Sequence, residues 1–303
     1  MFYTTSGRRA FGANVNFVNN GIIPSYTNNM IAAFQSWSEG YDKTPSDAGY
    51  TDYTWVDMTL NGNDLLWYGP SPFTKAVDKN GYILDDGGGV SGLVNRLVSK
   101  DSDTAEKLLP YYWTSASDSS TSVSAENKTY VMWVRFRDGL PTTDVPIIGS
   151  APGGFSNGFH LLRRNGTNNM NVLFRDKNNQ GPFGYGSYPE PEVRFEDGIK
   201  YTMLSVVVDG NGVMTNNANC VQVFQNDSDG AVVTADVFSG TFSDVNRISY
   251  TATTSTSSRP FVINSGDTNA SQYAGNFDIG ALWVWDEKLS NAQINQILSL
   301  IHI

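Results

Sequence analysis

From about residue 30 onward, apolar and polar positions alternate in short runs, and Asn, Asp, Gly and Pro punctuate the gaps. Alternation with period two sends successive side chains to opposite faces of a strand, and such punctuation marks the turns between strands. The pattern predicts strands over residues 30–37, 53–58, 65–68, 82–85, 130–137, 159–163, 170–175, 201–209, 220–225, 231–238, 259–264 and 277–285. The segment Tyr130-Val-Met-Trp-Val-Arg-Phe-Arg137 shows the logic. Tyr130, Met132, Val134 and Phe136 share one face, while Val131, Trp133, Arg135 and Arg137 give a second face that is half apolar and half charged. Two such faces suit two stacked antiparallel sheets, one of whose outer surfaces stays available for use.

Helices are few. Residues 92–100 and 103–109 read as short helices, the second opening on an Asp103-x-x-Glu106 capping pattern and stopped by Pro110. Near the end, Ser290-Asn-Ala-Gln293 forms a capping box, and Ile294, Ile297, Leu298 and Ile301 follow at helical spacing. One apolar stripe of this last helix must pack against the strand before it. Trp283 and Trp285 point one way together in that strand and read as core. No tandem repeat and no dividing linker is visible, and the Ser/Asp/Thr-rich residues 114–125 read as a long loop. The expected fold is therefore all-β: a two-sheet antiparallel sandwich with few short helices and a C-terminal helix.

Residues 1–21 differ from the rest. They show no periodicity, yet carry Arg8 and Arg9 together with Phe2, Tyr3, Phe11 and Phe17. We expect an arm that docks on a neighbouring subunit through Arg8, Arg9 and Phe11, followed by one sandwich domain over residues 22–303.

Composition narrows the function. The chain is 40% hydrophobic and 13% aromatic, enough for a sizeable core. Only 17% of residues are charged, against roughly 25% in an ordinary soluble domain. Asn, Ser, Thr and 29 glycines supply the polarity instead, the vocabulary of turns. Twenty basic against 30 acidic side chains leave a net charge of −10, which repels phosphate backbones and argues against nucleic acid as a partner. One cysteine allows no internal disulfide or thiolate cluster, and Cys220 reads as a small buried hydrophobe. The apolar runs are too short to span a membrane, and the first residues lack the apolar stretch of a secretory signal. The sequons at Asn127, Asn165, Asn226 and Asn269 read as Asn-rich turns.

Several segments, taken in order, carry a family resemblance. Trp55-Val-Asp57-Met-Thr-Leu-Asn61-Gly-Asn63-Asp64 resembles an Asp-x-Ser-Gly-Asn-Gly-Asn turn, and Gly81-Tyr-Ile-Leu-Asp85-Asp86-Gly87 resembles a Phe-Asp-Gly strand end. Gly198 to Gly210 is similar to a central strand-and-turn, and Phe277 to Ile294 to a closing strand and capped helix. Together they resemble the laminin-G-like, concanavalin A-like jelly-roll superfamily over residues 22–303, in the style of its phage members. Two departures stand out: Leu60 occupies a position where glycine is usual, and long insertions precede Tyr130. The resemblance implies a lectin-like jelly roll and a structural calcium near such turns, with Asp57, Asn61, Asn63 and Asp64 as candidate ligands. The alternative, which we prefer, is that these residues make only Asx-turns. Asp85 and Asp86 form a second turn of the same kind.

Catalytic material is scarce. Glucanases on this sandwich use a Glu-x-Asp-x-x-Glu strand, and the nearest cluster here, Glu190-Pro-Glu192-Val-Arg-Phe-Glu196-Asp197, lies beside two prolines and Arg194. It reads as a solvated acidic loop. His160 alternates with apolar neighbours inside a strand and reads as a hydrogen-bonded core histidine, not a base. His302, one residue from the end, reads as solvated. Two histidines and one cysteine leave almost nothing for a Ser-His-Asp or Cys-His arrangement. Aromatic side chains are the remaining resource: Tyr111, Tyr112 and Trp113, with Tyr185 and Tyr188, sit in loop-like sequence suited to stacking on sugars or on a protein partner. The expectation is a non-enzymatic structural protein of a tailed-phage virion, a capsid decoration or tail-fibre accessory protein, present in many copies. Its partners would be other virion proteins and host-surface glycans during host attachment. It would need no cofactor beyond a structural calcium. A glucanase or lyase, or a stand-alone carbohydrate-binding module, is the alternative.

Overall fold

The β-branched and aromatic runs build strands whose two faces both find apolar partners. The computed structural model describes residues 2–3, 9–10, 29–36, 54–59, 61–69, 81–86, 94–110, 126–150, 158–167, 170–175, 195, 198, 200–211, 221–226, 232–235, 260–264 and 274–300. One sheet contains β3 (Met30–Gln35), β6 (Tyr82–Leu84), β8 (Lys128–Phe136), β12 (Thr202–Val208), β13 (Val221–Asn226), β14 (Val232–Ala235) and β16 (Phe277–Trp285). Its order is β14-β13-β12-β8-β16-β3, with β6 pairing the start of β16. The other contains β4 (Thr54–Trp55), β5 (Leu65–Tyr68), β7 (Arg96–Ser99), β9 (Val145–Ser150), β10 (Gly158–Arg163), β11 (Met170–Arg175) and β15 (Phe261–Ile263), in the order β11-β10-β9-β15-β7-β5-β4. Neighbours in both sheets run antiparallel. In the segment expected to be an arm, β1 (Phe2–Tyr3) and β2 (Arg9–Ala10) pair with each other as a two-stranded ribbon.

Burial divides the side chains into two apolar layers. Between the sheets lie Phe34, Trp55, Trp67, Tyr130, Met132, Phe159, Phe261 and Leu282, with ring contacts such as Trp55 edge-on to Tyr82 at 5.7 Å. Outside the first sheet, Val131, Trp133, Met203, Trp283 and Trp285 meet Ile294 and Ile297 of helix α2 (Asn291–Leu300). A bulge decides which side chains go where. Along β16 the register with β8 slips between Ile279 and Ala281, so Gly280 is the extra residue. Before it, Phe277 and Ile279 face the inter-sheet core; after it, Leu282 and Val284 do, and Trp283 and Trp285 turn outward beneath α2. The capping box of α2 forms as the sequence implies. Ser290 N–H donates to Gln293 Oε1 at 2.7 Å, and Gln293 N–H to the Ser290 hydroxyl at 3.4 Å.

Two local expectations are corrected, and one strand joins those expected. Of the span 92–100 expected as a helix, the described residues 94–100 are not helical: Arg96–Ser99 is β7, whose Leu97 faces the core beside β5 and β15. Val94, Leu97 and Val98 stand at helical spacing, i, i+3 and i+4, over a run too short to decide, and pairing on both sides settles it. Strand β9 was hidden by Pro146 and Gly149, which weaken a strand signal; Pro146 is tolerated beside a β-bulge where the register with β10 shifts. Helix α1 (Ser102–Leu108) is capped not by Asp103 but by Asp101, whose carboxylate accepts from Thr104 N–H at 2.7 Å. Asp103 falls in the first turn, where its charge suits the helix N-terminus.

Candidate functional site

The chain passes from the first sheet to the second through residues 137–144, which join β8 to β9 at one rim of the sandwich. Asp138 and Gly139 open this turn, Gly139 with φ +53°, a left-handed conformation that glycine tolerates, and Leu140 and Pro141 follow. Opposite lie residues 274–276, which lead into β16, and Asp86, which follows β6. Together they enclose an open cavity of about 250 Å³. Asp86, Asp138, Thr142, Thr143 and Asn276 give it polar walls, and Leu140 and Pro141 an aliphatic one. Leu140 is 51% exposed, one of the few large apolar side chains so placed among the described residues.

Asn276 holds the cleft together. Its side-chain amide donates to Asp138 Oδ2, its side-chain oxygen accepts from Asp86 N–H at 2.9 Å, and its carbonyl accepts from Arg137 N–H at 3.0 Å. The floor is fixed by Asn264, a fully buried non-glycine residue with φ +62°. Such a conformation persists where surrounding bonds over-determine it. Here Asn264 accepts from Gly275 N–H at 2.8 Å and donates to the Asn95 carbonyl at 2.9 Å, tying three loops together. Gly275 has no room for a side chain, because an added Cβ would lie 2.4 Å from Val145 Cγ1. Gly275→Ala should therefore cost about 1–3 kcal/mol, through overpacking alone, and widen the cleft. Thermal unfolding of that variant checks it, and an unchanged melting temperature would mean that the floor is pliable.

Cations near the cleft are already engaged. Arg135 donates to Asp278 Oδ2 through Nε at 3.0 Å and Nη2 at 2.6 Å, and its guanidinium lies 4.5 Å from the Tyr201 ring centre. Arg137 donates from Nη2 to the Leu84 carbonyl at 2.6 Å, and its Nε is 3.5 Å from Asp278 Oδ1. Asp278 is almost fully buried between them. Arg163, also fully buried, lies 4.4 Å from the Phe136 ring and 4.8 Å from that of Phe195. At the far end of β8, buried Lys128 pairs with Glu126 and Asp286.

The turn proposed for calcium has a different job in this fold. Asp57 accepts from Ala33 N–H at 3.0 Å, Thr59 N–H at 2.9 Å, the Thr59 hydroxyl and Asn63 N–H at 3.1 Å. Asn61 and Asn63 turn their NH₂ groups, not their oxygens, inward, donating to the Ile31 carbonyl at 3.1 and 2.7 Å. Asp64 accepts from Asp57 N–H at 3.0 Å and lies 3.7 Å from Lys100. A calcium shell needs six to eight oxygens directed at one point. These donors and acceptors are directed at backbone instead, so the four residues fit an Asx-turn and not a metal shell. No group of three His, Cys, Asp or Glu suited to a metal occurs among the described residues. What the turn does is cover the open edge of β3: Met58 N–H donates to the Ala33 carbonyl at 2.8 Å, and Ile31 is the bulged residue of that strand. Burial pushes the Asp57 carboxyl above its usual value of 3.8, an effect that the bonds from Thr59, Ala33 and Asn63 counter without cancelling.

Other candidates are scattered. His160 is fully buried in β10, across from Gly149 of β9. Tyr130 donates to the Leu108 carbonyl at 2.7 Å, and burial, with Asp286 and Glu126, raises its phenol well above 10, so it stays protonated at neutral pH. Tyr111, Tyr112, Trp113, Tyr185 and Tyr188, like Glu192, Glu196, Arg8, Phe11 and Cys220, lie outside the described residues, and of Arg9 only its backbone place in β2 is described. Sequence reading missed the rim cleft. Its signal was the pair Asp85-Asp86 and the turn Asp138-Gly-Leu-Pro141, both at strand ends, but no local pattern shows that they meet.

No protein-family model and no curated protein matches the chain. Solved structures match in fold. The botulinum neurotoxin serotype D/C VPI 5993 binding domain aligns with 91% of this chain and 53% of its own, at 9% identity and TM-score 0.51. The binding domain of botulinum neurotoxin DC in complex with rat synaptotagmin II gives 10% identity, 92% and 53% coverage, and TM-score 0.49. Trypanosoma rangeli sialidase in complex with sialic acid gives 12% identity, 89% and 33% coverage, and TM-score 0.46. The chain thus spans about half of the toxin domains and a third of the sialidase. The class is an all-β, two-sheet antiparallel sandwich, with the fold shared by a toxin's binding domain.

Proposed function

We propose that this chain is a non-enzymatic recognition protein of a tailed-phage virion, a capsid decoration or tail-fibre accessory protein that engages host-surface glycans. The rim cleft carries the reading. Sugars offer hydroxyl edges and C–H faces, and the cleft sets carboxylate, amide and hydroxyl groups beside an exposed aliphatic wall. The lectin-like sandwich, the acidic Asn- and Gly-rich composition and the resemblance to phage members support it. Three described carboxylates outside the cleft are committed within the fold: Asp278 to two arginines, Asp57 to backbone N–H groups, and Asp144 to Arg164 at 3.0 Å. The arm would dock on other virion proteins and set the protein in many copies, and no cofactor is needed.

The purified protein should retain glycans on an array yet leave polysaccharides intact. The double variant Glu192→Gln/Glu196→Gln should behave like wild type. Release of reducing ends or unsaturated sugars by the wild type, lost in that variant, would establish an enzyme instead. Truncating residues 1–21 should abolish incorporation into particles while the sandwich stays folded, and normal occupancy would refute the docking role.

A further inference from the structure

We infer that the rim cleft is the recognition subsite and that it takes a single uncharged pyranose ring while turning away sialic and uronic acids. The inference rests on the glycan-binding reading and narrows it to one place and one ligand class. Size is the first argument: about 250 Å³ lies below the roughly 300–1,000 Å³ of pockets for drug-sized ligands, so one ring fills it. Chemistry is the second. Asp86 and Asp138 offer carboxylate oxygens to hydroxyl donors, Thr142 and Thr143 can donate or accept, and Leu140 and Pro141 offer an aliphatic surface to a C–H face. The third argument is rigidity. Asn276 is fixed by Asp86 and Asp138, and Asn264 with close-packed Gly275 fixes the segment beneath, so little ordering is left for binding to supply.

Charge sets the selectivity. No lysine or arginine is among the described residues lining the cleft. The nearby guanidinium groups are taken: Arg137 by the Leu84 carbonyl and Asp278, Arg135 by Asp278, and Arg163 is fully buried against the Phe136 and Phe195 rings. A sugar carboxylate entering here meets the Asp138 carboxylate, on a protein of net charge −10. Like charges brought together against desolvation are the repulsive element that discriminates one ligand from another.

The full chain is titrated calorimetrically with methyl α- and β-galactopyranosides, glucopyranosides and mannopyranosides, and separately with sialic acid and glucuronic acid. At least one neutral glycoside should bind, and the acids should bind at least tenfold more weakly. Asp138→Ala and Leu140→Ala, both at exposed positions, should each weaken the neutral glycoside at least tenfold, Leu140→Ala with an unchanged melting temperature and Asp138→Ala with only a small drop from its lost bond to Asn276. Asp138→Lys should narrow the gap between neutral and acidic sugars. Neutral binding that survives both alanine variants would overturn the cleft while leaving glycan recognition standing. Acids binding wild type as well as the neutral sugars do, or loss of neutral binding in EDTA, would overturn the direct, charge-excluding mechanism. No binding by any of these probes, together with an empty glycan array, would sink the glycan reading itself.

Discussion

Replacing Asp57 with alanine should destabilise the sandwich by about 3–6 kcal/mol, with Asp57→Asn costing far less. The carboxylate accepts from the backbone N–H groups of Ala33, Thr59 and Asn63, and alanine leaves all three without that acceptor. Each buried donor so deprived costs roughly 1–3 kcal/mol. Asparagine keeps an oxygen for Ala33 and Thr59 and discards a desolvated charge. The two variants therefore separate the acceptor from the charge. The pH dependence follows from the raised carboxyl. The native state holds the proton more tightly than the unfolded chain does. The stability this linkage contributes is complete below the unfolded value near 3.8, and is lost as pH rises through the higher folded value. Wild type should thus lose stability relative to Asp57→Asn as pH climbs across that window. Thermal unfolding at several pH values between about 3 and 7 tests this. Parallel curves for the two proteins would show that the charge carries no such cost, and a mild Asp57→Ala would show that the turn is peripheral.

Ile297→Ala should be nearly as damaging, and clearly worse than Ser290→Ala. Ile297 is fully buried where α2 lies on the outer face of the first sheet, beside Trp133, Trp283 and Trp285. Truncating such a side chain costs roughly 2–5 kcal/mol. Removing an N-cap hydroxyl costs on the order of 1 kcal/mol, and the Ser290 oxygen accepts at a long 3.4 Å from an exposed position. Calorimetry should show Ile297→Ala melting roughly 5–15 °C below wild type, and Ser290→Ala only a few degrees below. Glycan binding measured well below melting should be unchanged in both, because α2 covers the face away from the inter-sheet core and the described neighbours of Ile294 and Ile297 there are not residues of the cleft. Equal and negligible shifts would detach α2 from the folding unit.

These two sites also show what the sequence made legible. The strands at Leu65–Tyr68, Met170–Arg175 and Phe277–Trp285, and the capping box of α2, were readable because period and cap chemistry are local. The alternation in β8 foretold that Tyr130 and Met132 face one layer while Val131 and Trp133 face the other. Strand β7 was misread because four residues cannot separate the two periods, and β9 because proline and glycine mask a strand whose neighbours supply its pairing. The Asp57 turn was recognised as a cluster of oxygen-bearing residues, but its role depends on β3 lying beside it, which no spacing within the turn reveals. The rim cleft was invisible for the same reason: Asp86, Asp138 and Asn276 come from three distant parts of the chain and meet only when both sheets are in place.

The pairing of β3 with β16 has a kinetic consequence. Asn29 and Glu287, which flank these strands and hydrogen-bond at 2.9 Å, stand 258 positions apart. Closing a loop of that size costs roughly 5 kcal/mol of chain entropy before the ladder it permits returns anything. Such long-range pairing makes folding slow. A ribosome must release β16 before β8 gains its central neighbour, and until then the apolar edge and outward face of β8 have neither strand nor helix against them. Nascent chains halted short of Phe277 should be the aggregation-prone species. Yield in cells will therefore depend less on how stable the finished sandwich is than on how quickly its last strand arrives.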